Sequence, residues 1–337
     1  MDDAWLKMSE TVAEMINVTE TMNFAHGGAT RYFAEASPPS QYSLTLTNSD
    51  NSFVQGRVGL LDGELVDIPS VRNQVDLYLT DKPAFLATED TLHVIWAGHN
   101  DFINKISQAE DVLDLLPLMF GDAFRRSVAT NVMSSALKLI KAGAKEILVI
   151  LLAPLAGSIP MLSVLDERSR MISETPALML KHELIRDAVS FAISAINKKI
   201  IFELSLLSTL GANIYTFDLV PLFTEAIDSP AQFNYIDVST ACLTNSTTGL
   251  PQDIAIGGPA SSVCQLPDRM MFWDSVHPTT KTHKVIAEFL VKDIFASPIE
   301  FDAHAFIATE AAGEEQEDDF VGFYNATSPR MAAHARH

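Results

Sequence analysis

The sequence of 337 residues lacks any apolar run close to the roughly 18 residues that a helix needs to cross a bilayer. Its longest apolar run, Ile147 to Ala153, has only the length of a strand. The opening residues, MDDAWLKMSE, lack the basic start and the apolar stretch of a signal peptide. We therefore expect no transmembrane segment and no signal peptide in this chain.

Basic residues are also scarce. The chain has 23 Lys and Arg against 43 Asp and Glu, which gives a formal net charge of −20 at pH 7. A charge of this sign repels phosphate backbones and anionic lipid, so we expect no nucleic-acid partner. Because 47% of the residues are hydrophobic and 20% are charged, we expect a buried core rather than wholesale disorder.

Patterns that hold metals and dinucleotides are missing as well. The nine histidines show no His-Glu-x-x-His spacing and no pairing with cysteines at zinc-site intervals. The Gly27-Gly28 pair does not belong to a Gly-x-Gly-x-x-Gly sequence. We therefore predict no metal site and no cofactor.

There are only two cysteines, Cys242 and Cys264, and they flank a loop rich in Gly, Thr, Ser and Pro. A disulfide would close this loop; two free thiols are the alternative. Asn-x-Ser/Thr sequons begin at Asn17, Asn245 and Asn325, and they are candidate glycosylation sites, although such triplets also arise by chance. These features favour a secreted, extracellular form of the full-length protein.

Short apolar strands alternate with helical stretches along the chain. This alternation predicts a mostly parallel α/β sheet with helices on both faces, and ligands that bind at the carboxyl ends of the strands. The sequence predicts strands at 22–25, 91–96, 146–152 and 213–219, and helices within 3–17, 71–79, 109–141, 181–208 and 284–295.

The remaining segments divide the chain into one domain and a tail. Residues 35–70 are rich in Ser, Pro, Asn and Gly, so we expect a long surface excursion there. Residues 1–299 then form the single domain. Residues 300–337 carry a run of acidic residues, and we expect them to be a disordered tail.

Asp274 and His277 suggest the chemistry. They stand three residues apart in the segment FWDSVHPTTKTH, directly before Pro278. A histidine oriented by a carboxylate is the base of nucleophilic acyl transfer, which also needs a nucleophile and donors for the oxyanion. The backbone N–H of Gly28 and the side-chain amide of Asn100 are the candidate donors, because each follows a predicted strand.

These segments resemble three blocks of the SGNH, or GDSL-type, lipase and esterase family, most closely its fungal and plant branch. NFAHGGAT resembles the second block, VIWAGHNDF the third and FWDSVHPTTKTH the fifth, in the right order. The resemblance implies a flavodoxin-like three-layer α/β/α sandwich and hydrolysis of carboxylic esters of small molecules, glycans or lipids. It implies Asp274 as orienter, His277 as base, and Gly28 with Asn100 as oxyanion donors.

The family's first block, Gly-Asp-Ser, occurs nowhere in the chain, so we identify no nucleophile. Ser9 lies in a helical pattern, Ser37 and Ser40 lie in a proline-rich segment, and Ser275 is a loop residue of the fifth block. The strand that carries the serine in the family is missing with it. Either the sequence is a truncated form of an active enzyme, or the protein has no such serine.

Three functions follow from this gap. The first is an ester hydrolase whose chain, as written, has negligible activity. The second is a non-catalytic protein that binds an acylated glycan or lipid in the inherited cleft. The third, least favoured, is hydrolysis by water that His277 activates directly.

We predict non-catalytic roles for four other histidines. We expect His26 and His99 to be structural or to line the substrate site, and His93 to be a bonded strand residue. We expect His283 to start the last helix and Asp101 to shape a turn.

Overall fold

The computed structural model describes residues 15, 59–61, 64–66, 70–81, 91–99, 101, 121–153, 177–245, 261–274, 277–294 and 298. All of them lie in Met1–Ile299, the first of the two units into which the chain divides. The second unit, Glu300–His337, lies outside the described residues.

A parallel sheet of three strands forms the centre of the described structure. Its order is β3 (Leu92–Trp96), β4 (Glu146–Ile150) and β5 (Asn213–Phe217), in a register that ends with Trp96 opposite Ile150 and Ile150 opposite Phe217. Four consecutive apolar residues of β4, from Ile147 to Ile150, are at most 1% exposed. A strand covered on both faces needs such a continuous apolar run. The same run in the sequence is what predicted this buried strand.

Helices cover both faces of this sheet. Ile147 and Val149 pack against α1 (Val71–Asp81), α2 (Asp122–Lys141) and α3 (Ala177–Ser208). Leu148 and Ile150 point the other way, because side chains alternate along a strand, and pack with α4 (Leu219–Asp228) and α5 (Thr280–Ile294). The architecture is therefore the predicted three-layer α/β/α arrangement. Among the helices in the described ranges, none combines the length and apolarity that crossing a membrane requires.

Short strands complete the described elements. They are β1 (Gly59–Leu61), β2 (Glu64–Val66), β6 (Asp237–Ala241), β7 (Leu243–Asn245), β8 (Ser261–Val263) and β9 (Met270–Phe272). Strands β1 and β2 form an antiparallel pair, β6 pairs with β9 in parallel, and β7 pairs with β8 antiparallel. Single 3₁₀ turns, Pro230–Phe233 and Pro267–Arg269, precede β6 and β9.

One prediction from the sequence needs correction, the start of the last helix. Strands β1 and β2 lie within the segment 35–70, for which the sequence predicted a long surface excursion; strands of three residues are too short to show a period. The last helix begins at Thr280 rather than Lys284, because the Thr279 hydroxyl accepts the N–H of Thr282 and caps the first turn. The strand predicted at 22–25 lies outside the described residues, as does all of the helix at 3–17 except Met15, which is helical.

Candidate active site

Asp274 and His277 lie shortly after β9 and are joined by two hydrogen bonds. Oδ2 of Asp274 lies 2.7 Å from Nδ1 of His277, and Oδ1 accepts the backbone N–H of His277 at 2.7 Å. The Asp274 side chain is 1% exposed and the imidazole 31%. Because a carboxylate only accepts hydrogen bonds, Nδ1 is the donor, and the neutral ring has its free lone pair on Nε2. This is the tautomer that a general base needs.

Backbone and hydroxyl bonds hold the loop between β9 and α5 in place. The N–H of Trp273 donates to the carbonyl of His277 at 2.7 Å. The N–H of Thr279 donates to the carbonyl of Met271 at 3.0 Å, and its hydroxyl donates to the carbonyl of Met270 at 2.7 Å. Hydrogen bonds to β9, and to Trp273 just after it, thus hold the backbone at His277 and at Thr279.

A buried tyrosine extends these bonds to β6. The hydroxyl of Tyr235 donates to Oγ1 of Thr282 at 2.9 Å, and Thr282 Oγ1 donates to the carbonyl of Met271 at 2.7 Å. Burial raises the pKa of Tyr235 to about 12. The phenol therefore remains a donor at physiological pH and links α5 to the residues just before β6, while Thr282 links α5 to β9.

Cys242 and Cys264 form a disulfide with a Cα separation of 4.8 Å, as one of the two sequence alternatives predicted. The bridge closes the base of the β7–β8 hairpin. The N–H of Cys242 donates to the carbonyl of Phe272 at 3.0 Å, and the N–H of Leu243 donates to the carbonyl of Trp273 at 2.6 Å. The disulfide therefore lies one hydrogen bond away from the residues that lead into Asp274.

The chain leaves β3 through a glycine. Gly98 has φ +107°, a conformation that L side chains rarely adopt. A Cβ at this position would lie 3.2 Å from Cγ1 of Val128 and 3.4 Å from Cδ2 of Leu152. Glycine thus lets the chain turn sharply at the carboxyl edge of the sheet, within the third block. Asp101, which was expected to shape a turn, is helical, as is His99, and is 3% exposed.

The ring of His99 bonds the neighbouring strand end. Its Nε2 accepts the backbone N–H of Ala153 at 2.7 Å. Desolvation lowers the pKa of His99 to about 4, so the ring is neutral near pH 7. Since Nε2 accepts, the single ring proton lies on Nδ1.

An asparagine from α3 holds the residue before Ala153. Oδ1 of Asn197 accepts the N–H of Leu152 at 2.9 Å, and its amide donates to the carbonyl of Leu152 at 3.0 Å. Asn197 is 2% exposed. Where β4 leaves the ladder, side chains therefore replace the main-chain partners that a buried backbone requires.

Aromatic contacts connect the two halves of the site. The Trp96 ring meets the ring of His99 edge-on at 6.0 Å and that of His283 at 6.3 Å. His283 is 1% exposed, and burial, with a smaller effect of His277, lowers its pKa to about 4. A second, neutral imidazole is thus buried in α5. His283 was expected to start this helix, but the helix begins three residues earlier, at Thr280.

The structure brings together only part of the predicted constellation. Gly28, Asn100 and the serines considered as nucleophiles lie outside the described residues, as do Asn17 and Asn325. Asn245 ends β7, and its side chain is not among those described. Within the described ranges, no group of three or more His, Cys, Asp or Glu side chains is placed to hold a metal ion.

Several supporting residues escaped the sequence analysis, namely Trp96, Asn197, Tyr235, Thr279 and Thr282. A signal existed for Thr279, because threonine before a helix is a preferred cap. A second signal was Asn197, a polar residue on the apolar stripe of α3. Neither signal identifies the partner across the fold.

Comparison with known proteins connects this site to a family. The sequence profile of the GDSL-like Lipase/Acylhydrolase family matches residues 8–290. A GDSL esterase/lipase of Arabidopsis thaliana is 26% identical over 226 residues, covering 64% of this chain and 52% of that protein. A second from the same plant is 21% identical over 289 residues, covering 77% and 73%. Its anther-specific proline-rich protein APG is 26% identical over 175 residues, covering 51% and 29%. The chain thus spans about half the length of the first of these relatives.

Proposed function

The chain belongs to the GDSL-like Lipase/Acylhydrolase family, and we propose that it carries the base half of a carboxylic ester hydrolase site. The observation that carries this proposal is the pair of hydrogen bonds that His277 makes to the two carboxylate oxygens of Asp274. The arrangement fixes the Nδ1–H tautomer and leaves Nε2, on a ring that is 31% exposed, as the nitrogen for proton transfer.

In the proposed reaction, Nε2 of His277 takes the proton of a serine hydroxyl as its oxygen attacks the ester carbonyl. The backbone N–H of Gly28 and the amide of Asn100 stabilise the oxyanion. Collapse of the tetrahedral intermediate expels the alcohol, which takes the proton back from His277. Water then attacks the acyl-serine by the same steps. No residue of this chain matches the serine, so we propose that the chain alone has negligible turnover.

Adding the missing block tests the proposal. A segment that carries the family's Gly-Asp-Ser strand and helix is joined ahead of Met1, and hydrolysis of p-nitrophenyl butyrate is measured. We expect turnover that falls about a thousandfold or more with His277→Ala, and equally with alanine at the added serine. A folded chimera without such turnover would count against the hydrolase proposal.

The second candidate function is binding without catalysis, of an acylated glycan or a lipid. It is favoured by the absence of any Gly-Asp-Ser in the 337 residues. Its test is the melting temperature of the chain with peracetylated cellobiose or with palmitate. A rise with either probe, together with no turnover in the chimera, would select this function over the first.

We also propose that the protein is secreted and glycosylated. The disulfide supports this proposal, because such bridges persist in oxidising compartments. Mass measurement before and after enzymatic deglycosylation, in the parent and in Asn245→Gln, tests it. An unchanged mass on deglycosylation of protein from a secreting host would contradict glycosylation.

A further inference from the structure

The ends of β3 and β4 are joined by a side chain rather than by the ladder. Backbone pairing of the two strands stops at Trp96 opposite Ile150. If the register continued by three residues, His99 would stand opposite Ala153. At Gly98 the chain turns away through its positive φ, and the imidazole of His99 accepts the Ala153 N–H at 2.7 Å. The ring therefore takes the place of a main-chain carbonyl.

Both sides of this bond are independently fixed. On the β4 side, Asn197 holds Leu152 by two bonds, at 2.9 Å and 3.0 Å. On the β3 side, the ring of His99 lies edge-on against Trp96, and a Cβ on Gly98 would lie only 3.2 Å from Cγ1 of Val128. Because both ends of the His99–Ala153 hydrogen bond are held, this bond can set the position of the backbone that follows His99. The next residue along the chain is Asn100.

We infer that His99, as its Nδ1–H tautomer, is a positioning residue that fixes the turn after β3 against the end of β4. The inference rests on the proposed function in one respect, which is that Asn100 supplies an oxyanion donor. His99 acts through this turn and takes no part in proton transfer, which distinguishes it from His277. An acceptor at the position of Nε2 is the property that the role requires.

The chain offers a matched pair of variants. Glutamine can place its Oε1 near the position of a histidine Nε2, so His99→Gln retains the acceptor and His99→Leu removes it. His93 is the control, because it is also a buried histidine of the same strand region. Its Nε2 bonds the hydroxyl of Tyr78 at 3.0 Å, away from the turn. Substitution of His93 by leucine reports the general cost of losing a buried imidazole.

The test is nuclear magnetic resonance on the full 337-residue chain, with labelled histidine, alanine and asparagine. At pH 7, long-range proton–nitrogen correlations should show His99 protonated on Nδ1 only. His99→Leu should accelerate exchange of the Ala153 amide proton by about tenfold and move the side-chain amide resonance of Asn100. His99→Gln and His93→Leu should leave both signals near their parent values. Asn100→Asp assigns the Asn100 resonance.

A proton on Nε2 of His99 in the parent would overturn the inference, and so would parent-like Ala153 and Asn100 signals in His99→Leu. If His99→Leu does not fold, the parent tautomer and the comparison of His99→Gln with parent still decide. None of these signals depends on ester turnover. A chimera without activity would therefore refute the proposed function and leave the role of His99 in the turn to be judged by resonance alone.

Discussion

The carboxylate of Asp274 bonds His277 through both oxygens, at 2.7 Å to the ring and 2.7 Å to the backbone N–H. The second bond fixes the backbone from which the ring projects, and the first fixes the ring's tautomer. One buried side chain thus determines both where the imidazole lies and which nitrogen it leaves without a proton. An isolated Asp-His contact would determine only the tautomer.

Asp274→Asn should disturb this relationship without changing the size of the side chain. An amide whose oxygen accepts the backbone N–H turns its NH₂ towards the ring, where it can only donate to Nδ1. We expect His277 to shift towards the Nε2–H tautomer, visible in proton–nitrogen correlations at pH 7. Asp76→Asn is the control, because Asp76 pairs with Lys138 on the surface. A pure Nδ1–H tautomer in Asp274→Asn would contradict the account.

Removing the disulfide should lower the free energy of unfolding. The bridge closes a loop with a sequence separation of 22, for which chain entropy gives about 3 kcal/mol. Urea unfolding of the parent and of Cys242→Ser/Cys264→Ser measures this loss. Reductant should destabilise the parent to the level of the double variant and leave the double variant unchanged. Equal stability of the two proteins under oxidising conditions would show that the bridge contributes nothing.

Acid should destabilise the fold through His99 and His283. Both have a pKa lowered to about 4, against an unfolded value of about 6.5. Below pH 6.5 the unfolded chain therefore binds protons that the folded chain does not, so stability is lost as the pH falls from about 6.5 towards 4. Between pH 7 and 5 each residue accounts for a loss on the order of 2 kcal/mol.

The variant His283→Gln separates one of these contributions. Its unfolding free energy should fall less between pH 7 and 5 than that of the parent, by on the order of 2 kcal/mol. Lys284→Gln is the control, because Lys284 is an exposed neighbour on the same helix. An identical pH dependence in His283→Gln and the parent would mean that His283 is not held neutral by the fold.

Two glycines allow strain to be separated from crowding. Gly98 and Gly211 both have positive φ, but a Cβ on Gly211 meets nothing within 4 Å, whereas one on Gly98 meets Val128 at 3.2 Å. Alanine at either position should cost about 1–2 kcal/mol for the left-handed backbone, and Gly98→Ala should cost about 1 kcal/mol more for overpacking. Urea unfolding checks both. Equal losses of unfolding free energy would mean that Val128 moves aside for the added Cβ at no cost.

The sheet could be predicted from the sequence because its strands carry their own signal. Residues 147–152 are apolar without interruption, and only a strand buried on both faces, or a short buried helix, produces such a run. The cap at Thr279 and the hairpin of β1 and β2 could not be located so well. A cap depends on one hydroxyl, and a strand of three residues shows no period.

The supporting bonds of the site were beyond prediction for a different reason. Asp274 and His277 are three residues apart, so their pairing is a local property of the sequence. Asn197 and Leu152 are 45 residues apart, and Tyr235 and Thr282 are 47 apart. Such pairs exist only once the sheet has brought their elements together, and a single sequence does not record which distant atoms will meet.

The most direct test of the central claim is hydrolysis of p-nitrophenyl butyrate by the 337-residue chain itself, measured beside His277→Ala. We propose that Asp274 and His277 form the base half of a site for which this sequence contains no Gly-Asp-Ser nucleophile block. We expect both proteins to hydrolyse the ester at the same rate, equal to that of buffer. Clear turnover by the parent that His277→Ala abolishes would contradict it.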